Sequence, residues 1–111
     1  MKRIVLSILL GLGLTALAQT SPNEQLGSLT QRLHLTPKQK VQLTPLVEKE
    51  FQQLKALRGD TSMGKLQKLR RFTEIQTNFR NQAAQYLDPK QQKELEQYQA
   101  ERRAELTRAQ H

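Results

Sequence analysis

Groups that could carry out catalysis or hold a metal are few in this chain. It contains no cysteine, and its two histidines, His34 and His111, are far apart in the sequence. No glycine-rich phosphate loop or paired-carboxylate pattern is visible. A zinc site needs three or four Cys, His or carboxylate ligands in a fixed arrangement. The sequence therefore predicts no enzyme, no resident metal ion and no cofactor.

Positive charge is the stronger chemical signal. Lysine and arginine total 18 against 10 acidic residues, which gives a formal net charge of +8. Ordinary solvated helix faces explain most of these cations. The remaining cations, with apolar residues between them, predict a surface that binds unfolded polypeptides. Its positive charge would attract acidic segments, and apolar contacts would then hold them weakly. The residues predicted for this client-binding surface are Arg58, Lys65, Lys68, Arg71, Met63, Leu66 and Phe72.

One helix-start motif occurs twice and would position these residues. The first copy is Leu35-Thr36-Pro37-Lys38-Gln39, and the second, 52 residues later, is Leu87-Asp88-Pro89-Lys90-Gln91. Thr or Asp can cap the first turn, and proline suits the first helical position. Glutamine at the third position can close a capping box, while the leading leucine can pack onto the new helix. Two such copies predict two helix starts of the same design.

The motif resembles the LTxxQ motif of the Spy/CpxP family of small periplasmic helical proteins. The first copy matches fully, and the second has Asp88 where the motif has threonine, which keeps the capping chemistry. Residues 57–62 resemble the turn between the two long helices of such proteins, and the resemblance covers roughly residues 33 to 106. It implies a curved, cradle-shaped antiparallel homodimer of long helices.

The first residues have the pattern of a secretory signal peptide. Met1-Lys2-Arg3 is a short positive region, residues 4–17 are an uncharged apolar run, and Ala16-Leu17-Ala18 fits a cleavage site. The alternative is an uncleaved membrane anchor. The apolar run of about 14 residues is shorter than the roughly 20 that a spanning helix needs, which favours cleavage.

These patterns predict three segments: a signal peptide over 1–18, a disordered leader over 19–23 and a helical domain over 24–111. A chain without cysteine suits an oxidising compartment, so the predicted location is the periplasm. Export argues against nucleic acid as the partner of the basic surface. Membrane phospholipid, lipopolysaccharide, acidic segments of unfolded proteins and an acidic protein partner remain as anionic candidates.

Apolar residues recur at helical spacing along the whole domain. The predicted helices cover 24–33, 36–58, about 63–86, and 88 onward with a fraying charged end. Pro45 predicts either a kink in the second helix or a restart with Thr44 as a second cap. The fold class is therefore all-α: a long kinked helical hairpin with short flanking helices. Because a hairpin of this size cannot bury both of its apolar stripes alone, a homodimer is expected.

Two functions fit this combination, and a third is weaker. The leading hypothesis is an ATP-independent periplasmic chaperone for unfolded or aggregation-prone envelope proteins. The resemblance equally allows a CpxP-like accessory regulator that binds the periplasmic domain of an envelope-stress sensor kinase. The third alternative is a metal-responsive periplasmic protein. A chaperone would bind many unfolded chains loosely, whereas a regulator would bind one folded partner tightly.

Overall fold

The computed structural model describes residues 21–109, which form four α-helices. The helices are α1 (Pro22–Leu33), α2 (Pro37–Gly59), α3 (Lys65–Ala83) and α4 (Pro89–Ala109), and a 3₁₀ turn (Ala84–Tyr86) continues α3. No strand occurs within residues 21–109. The all-α prediction is therefore confirmed. The predicted signal peptide and residues 19 and 20 lie outside the described residues.

Three of the four helix starts have the same capping chemistry. The Thr36 hydroxyl accepts the Gln39 N–H at 3.1 Å, and the Gln39 side chain accepts the Thr36 N–H at 3.0 Å. Asp88 and Gln91 make the same pair of bonds at 2.7 and 3.0 Å. Both copies of the motif are thus capping boxes, as predicted.

The third capping box lies at the start of α1 and was not predicted. Ser21 and Glu24 exchange two bonds of 3.2 Å, with Pro22 at the first helical position. Residues 22 and 23 therefore belong to α1, and the prediction of a disordered leader is wrong for them. Ser-Pro-x-Glu follows the same rules as the two recognised motifs, so the signal was present in the sequence.

The helices pack in a closed ring in which α1 contacts α2 and α4, and α3 contacts α2 and α4. The main core lies inside this ring, toward the end where α2 and α4 begin. Both motif leucines, Leu35 and Leu87, are buried in it, as expected for residues that pack onto the helices they precede. The other buried members are Leu29, Leu33, Leu43, Val47, Phe79, Ala83 and Leu95.

Two details of the helices differ from the sequence predictions. α2 continues through Pro45 without a break, and the Thr44 hydroxyl donates to the Lys40 carbonyl at 2.7 Å. Thr44 is therefore not a second cap, and the predicted restart is wrong. α4 has 21 residues against 19 in α3, so it is a full member of the bundle rather than a short flanking helix.

A second chain is not needed to cover the apolar stripes of the hairpin, although that need was the reason for expecting a dimer from the sequence. α1 and α4 cover the apolar stripes of the α2–α3 hairpin within one chain. Among residues 21–109, the large apolar side chains that remain exposed are Val41, at 74%, and Leu66, at 62%. The homodimer itself stays a prediction, which now depends on the family resemblance.

Candidate binding groove

The two motif copies meet at the end of the bundle where α2 and α4 begin. The Gln39 amide nitrogen donates to Gln91 Oε1 at 2.8 Å, and the Gln91 amide nitrogen donates to Gln39 Oε1 at 3.0 Å. The remaining hydrogens go to backbone carbonyls: Gln39 donates to Tyr86 at 2.8 Å and Gln91 to Leu33 at 3.2 Å. We call this pair the glutamine clasp. Its residues join helix ends and leave no side-chain group available for a ligand.

A pocket opens at the opposite end of the bundle, where α2 ends, α3 begins and α4 ends. Its volume is 310 Å³. Seven residues line it, from three helices: Leu54, Leu57 and Arg58 on α2, Lys68 and Phe72 on α3, and Arg102 and Leu106 on α4. We call it the α2–α4 groove. It is the place where predicted client-binding residues come together.

Apolar side chains form the floor of the α2–α4 groove. Leu54, Phe72 and Ile75 make a second buried cluster, and the partly buried Leu57 and Leu106 pack against it. Phe72 is only 7% exposed. The prediction of Phe72 as an exposed adhesive residue is therefore wrong, because its ring belongs to the core and shows the groove little of its surface.

Three cations surround this apolar floor. Arg58 is exposed, whereas Lys68 and Arg102 are half-buried. No carboxylate lines the groove, and within residues 21–109 none of the three has a carboxylate oxygen within ion-pair distance. The guanidinium of Arg102 lies 5.8 Å from the centre of the Tyr98 ring, a contact that does not itself neutralise the positive charge. The groove therefore combines an apolar floor with positive charge.

The other predicted surface residues lie outside the groove. Leu66 is largely exposed and Met63 is half-buried, but neither lines the groove, nor does Lys65. Arg71 donates to Glu74 at 2.8 Å, one turn along α3, so part of its charge is balanced locally. The structure thus brings together Arg58, Lys68 and Phe72 of the predicted set and separates them from the remaining four.

Two groove residues on α4, Arg102 and Leu106, were missed by sequence reasoning. Leu106 lies 52 residues after Leu54, the same offset that relates the two motifs. Leu43 and Leu95, both buried, are related in the same way. Extending the repeat beyond the motif would have placed Leu106 opposite Leu54. No such signal existed for Arg102, whose counterpart at that offset is the acidic Glu50.

A polar ladder between α3 and α4 positions the α4 side of the groove. Buried Gln76 donates to the Gln99 carbonyl at 3.1 Å, and Gln99 donates to the Gln76 carbonyl at 2.8 Å. Arg103 and Arg80 donate to the side-chain oxygens of Gln76 and Gln99, at 2.8 and 2.9 Å. Every buried side-chain nitrogen and oxygen atom of the described residues has a hydrogen-bond partner. A satisfied network of this kind sets one register between two helices.

A surface ion-pair cluster fixes α1 to α4 near the middle of the bundle. Arg32 donates two bonds to the Glu101 carboxylate, at 2.8 and 2.6 Å, and a third to Glu94 at 3.3 Å. The hydrogen bonds and positive charge of Arg32 lower the pKa of Glu101. Glu94 and Glu101 of α4 thus form ion pairs with Arg32, and neither forms an ion pair with Arg102.

Glu50 is the single acidic residue buried among residues 21–109, at 5% exposure. It accepts a hydrogen bond from the Gln25 side chain of α1. Burial raises its pKa to about 7, although the charge of Arg102 and the Gln25 bond act in the opposite direction. At neutral pH a substantial fraction of Glu50 is therefore uncharged.

Residues 21–109 include no group of three or more His, Cys, Asp or Glu that could hold a metal ion. Over the same residues, no helix has the length and apolar character to cross a membrane. No protein-family model, curated protein or solved structure matches this chain. The Spy/CpxP resemblance thus depends on the two motifs and the turn alone.

Proposed function

We propose that this protein is an ATP-independent periplasmic chaperone that binds unfolded or aggregation-prone envelope proteins. The observation that carries the proposal is the α2–α4 groove, in which Leu57 and Leu106 lie beside Arg58, Lys68 and Arg102 with no carboxylate among them. The signal-peptide pattern and the doubled motif support the periplasmic location and the family.

The groove chemistry suits loose binding to many sequences. Unpaired cations attract acidic segments at long range and raise the rate of encounter. A partly exposed apolar floor then contacts any apolar side chain, without a shape that selects one partner. Neither step needs a nucleotide. Exposed Leu66 and the cations Lys65 and Arg71 would extend the adhesive surface along α3 beyond the groove.

Assembly is a separate part of the proposal. The Spy/CpxP resemblance supports an antiparallel homodimer, which would present two grooves. The basic charge also makes contact with an anionic membrane surface a further expectation. The regulatory alternative, docking on a sensor kinase, and the metal-responsive alternative have no specific observation in their favour within residues 21–109.

Light scattering of a denatured, unrelated client tests the proposal. At near-stoichiometric ratio and without ATP, the protein should suppress aggregation. At 1 M salt the Debye length falls to about 3 Å, so capture should weaken. Substituting Arg58, Lys65, Lys68 and Arg71 by glutamine should slow capture of acidic clients more than of neutral ones. Substituting the exposed lysines Lys38, Lys40, Lys90 and Lys93 by glutamine removes the same number of charges near the motif end and serves as the control.

Aggregation that is untouched at several-fold excess and at several salt concentrations would remove the chaperone proposal. The regulatory proposal would then take its place. Binding of one folded periplasmic sensor domain, measured by titration calorimetry, would be its test.

A further inference from the structure

The α2–α4 groove also has the size and lining of a small-molecule site. Pockets for small ligands occupy roughly 300–1,000 Å³ and are mainly apolar, with a few convergent polar groups. At 310 Å³ the groove lies at the lower end of that range. Its walls come from three helices, so an occupant would be surrounded on three sides. This volume suits one unbranched chain rather than a diacyl lipid or a folded segment of protein.

The distribution of chemistry in the groove is that of an amphiphile site. The partly buried Leu57 and Leu106 pack against the buried Leu54 and Phe72, so the apolar surface open to a ligand comes mainly from Leu57 and Leu106. The polar groups that line the groove are the cationic side chains Arg58, Lys68 and Arg102. A ligand that fills the groove would thus put its alkyl part on the leucines and meet positive charge alone as its polar partner.

We propose that the α2–α4 groove binds a single-chain fatty acid anion, with the alkyl chain against Leu54, Leu57 and Leu106 and the carboxylate at Arg58, Lys68 and Arg102. Arginine presents a planar fork that matches a carboxylate bidentately, and such charge-assisted bonds are the strong ones. This inference goes beyond client binding and holds whether or not the protein captures unfolded chains.

The electrostatic surroundings favour an anion over a neutral or cationic ligand. Two carboxylates interact electrostatically with these cations. Asp60 accepts hydrogen bonds from Ser62 and is attracted to Lys68. Glu50 is attracted to Arg102. Neither lines the groove. Because burial raises the pKa of Glu50 to about 7, it neutralises Arg102 only in part at neutral pH. The carboxylate of a ligand would supply the missing negative charge.

Isothermal titration calorimetry on the full protein with matched ten-carbon probes tests the proposal. Decanoate, decanol and decylammonium share one chain and differ in head-group charge, while acetate has the charge without the chain. We expect decanoate to bind at one site per chain, at least about tenfold more tightly than each of the other three. Equal affinity for decanoate and decylammonium would overturn the proposal, and so would decanoate binding no better than acetate.

Variants locate the site. Arg58→Gln with Lys68→Gln should weaken decanoate binding by about tenfold, since two charge-assisted partners of the carboxylate are lost. Leu106→Gln, at a half-buried position, should weaken it comparably, and circular dichroism checks that each variant is folded. Lys38→Gln with Lys90→Gln removes the same charge at the far end and should leave binding unchanged. Decanoate affinity that falls equally in the far-end variant, or falls in neither variant, contradicts the assignment.

Discussion

Gln39 and Gln91, which lie 52 positions apart, hydrogen-bond each other in both directions through their side-chain amides. Each amide oxygen also accepts the backbone N–H of its own cap residue, and each nitrogen also donates to a backbone carbonyl. A glutamine side chain has two donor hydrogens and two acceptor lone pairs, and here all of them are used. The two copies of the motif therefore form one hydrogen-bond network.

Gln39→Glu should destabilise the protein by about 2 kcal/mol. Glutamate can close a capping box, but it has no hydrogens for Gln91 and the Tyr86 carbonyl, which lose their donor in a partly buried site. Glu24→Gln is the matched control, because the Ser21 box is exposed and has no second amide. Urea unfolding measures both. Equal free energies of unfolding for the two variants would show that the clasp contributes nothing beyond capping.

Thr36→Ala and Asp88→Ala should each lower the free energy of unfolding by about 1 kcal/mol, because each removes a side-chain oxygen that caps a helix. Lys38→Ala, next to the first cap and exposed, should change it little. Client capture per folded molecule should be unaffected in all three variants. If either cap variant kept the stability of the wild type but lost client capture, the motif would be a client-binding surface and not a structural cap.

Glu50 should make stability fall as the pH rises from about 4.5 to about 7. Its folded pKa of about 7 lies above the ordinary value of 4.5, so the folded state holds a proton that the unfolded state has lost. The stabilisation is complete below the unfolded pKa and disappears as pH passes the folded one, a difference of roughly 3 kcal/mol.

Glu50→Gln should flatten this dependence and raise stability at pH 8, since the neutral amide keeps the shape without the buried charge. Glu48→Gln, exposed on the same helix, is the control and should leave the slope unchanged. Thermal unfolding from pH 4 to pH 8 measures both variants. Parallel curves for the wild type and Glu50→Gln would contradict the assignment of the slope to this residue.

Phe72→Ala should cost about 3 kcal/mol, because it leaves a cavity in the cluster with Leu54 and Ile75. Leu66→Ala, also on α3 but 62% exposed, should change the free energy of unfolding by less than about 0.5 kcal/mol. The same Leu66 variant should bind clients less well. Wild-type stability of the Phe72→Ala protein would indicate that Phe72 is exposed, as the sequence predicted, and not part of the core.

Sedimentation equilibrium at micromolar concentration should give about twice the chain mass, as the family resemblance implies for an antiparallel dimer. Because one chain already buries its main core, the interface would have to use an exposed apolar residue such as Val41. Val41→Gln should then raise the monomer fraction, whereas Leu26→Gln would act on folding. A compact monomer at every concentration would refute the dimer.

The sequence alone predicted the helices and the caps of α2 and α4, because those features depend on residues within four positions of each other. The cap predicted for α3, Thr61 or Ser62, is wrong, since α3 follows Gly64 without a side-chain cap. Thr36 and Gln39 bond across a single turn, and the apolar spacing of α3 follows from its own period. The start of α1 depends on residues that are just as local, Ser21 and Glu24. The polar composition of residues 19–23 predicted a disordered leader instead, although the same residues carry a capping pattern.

Only the tertiary structure decided which surfaces face each other. Phe72 and Leu66 belong to one apolar stripe in the sequence, yet the first is buried and the second exposed. Phe72 is buried because it packs in one cluster with Leu54 and Ile75, against which Leu106 of α4 also packs. The Gln76–Gln99 ladder joins α3 to α4, which contributes Arg102 and Leu106 to the groove. The groove joins residues up to 52 positions apart, and no local pattern carries the relative placement of three helices.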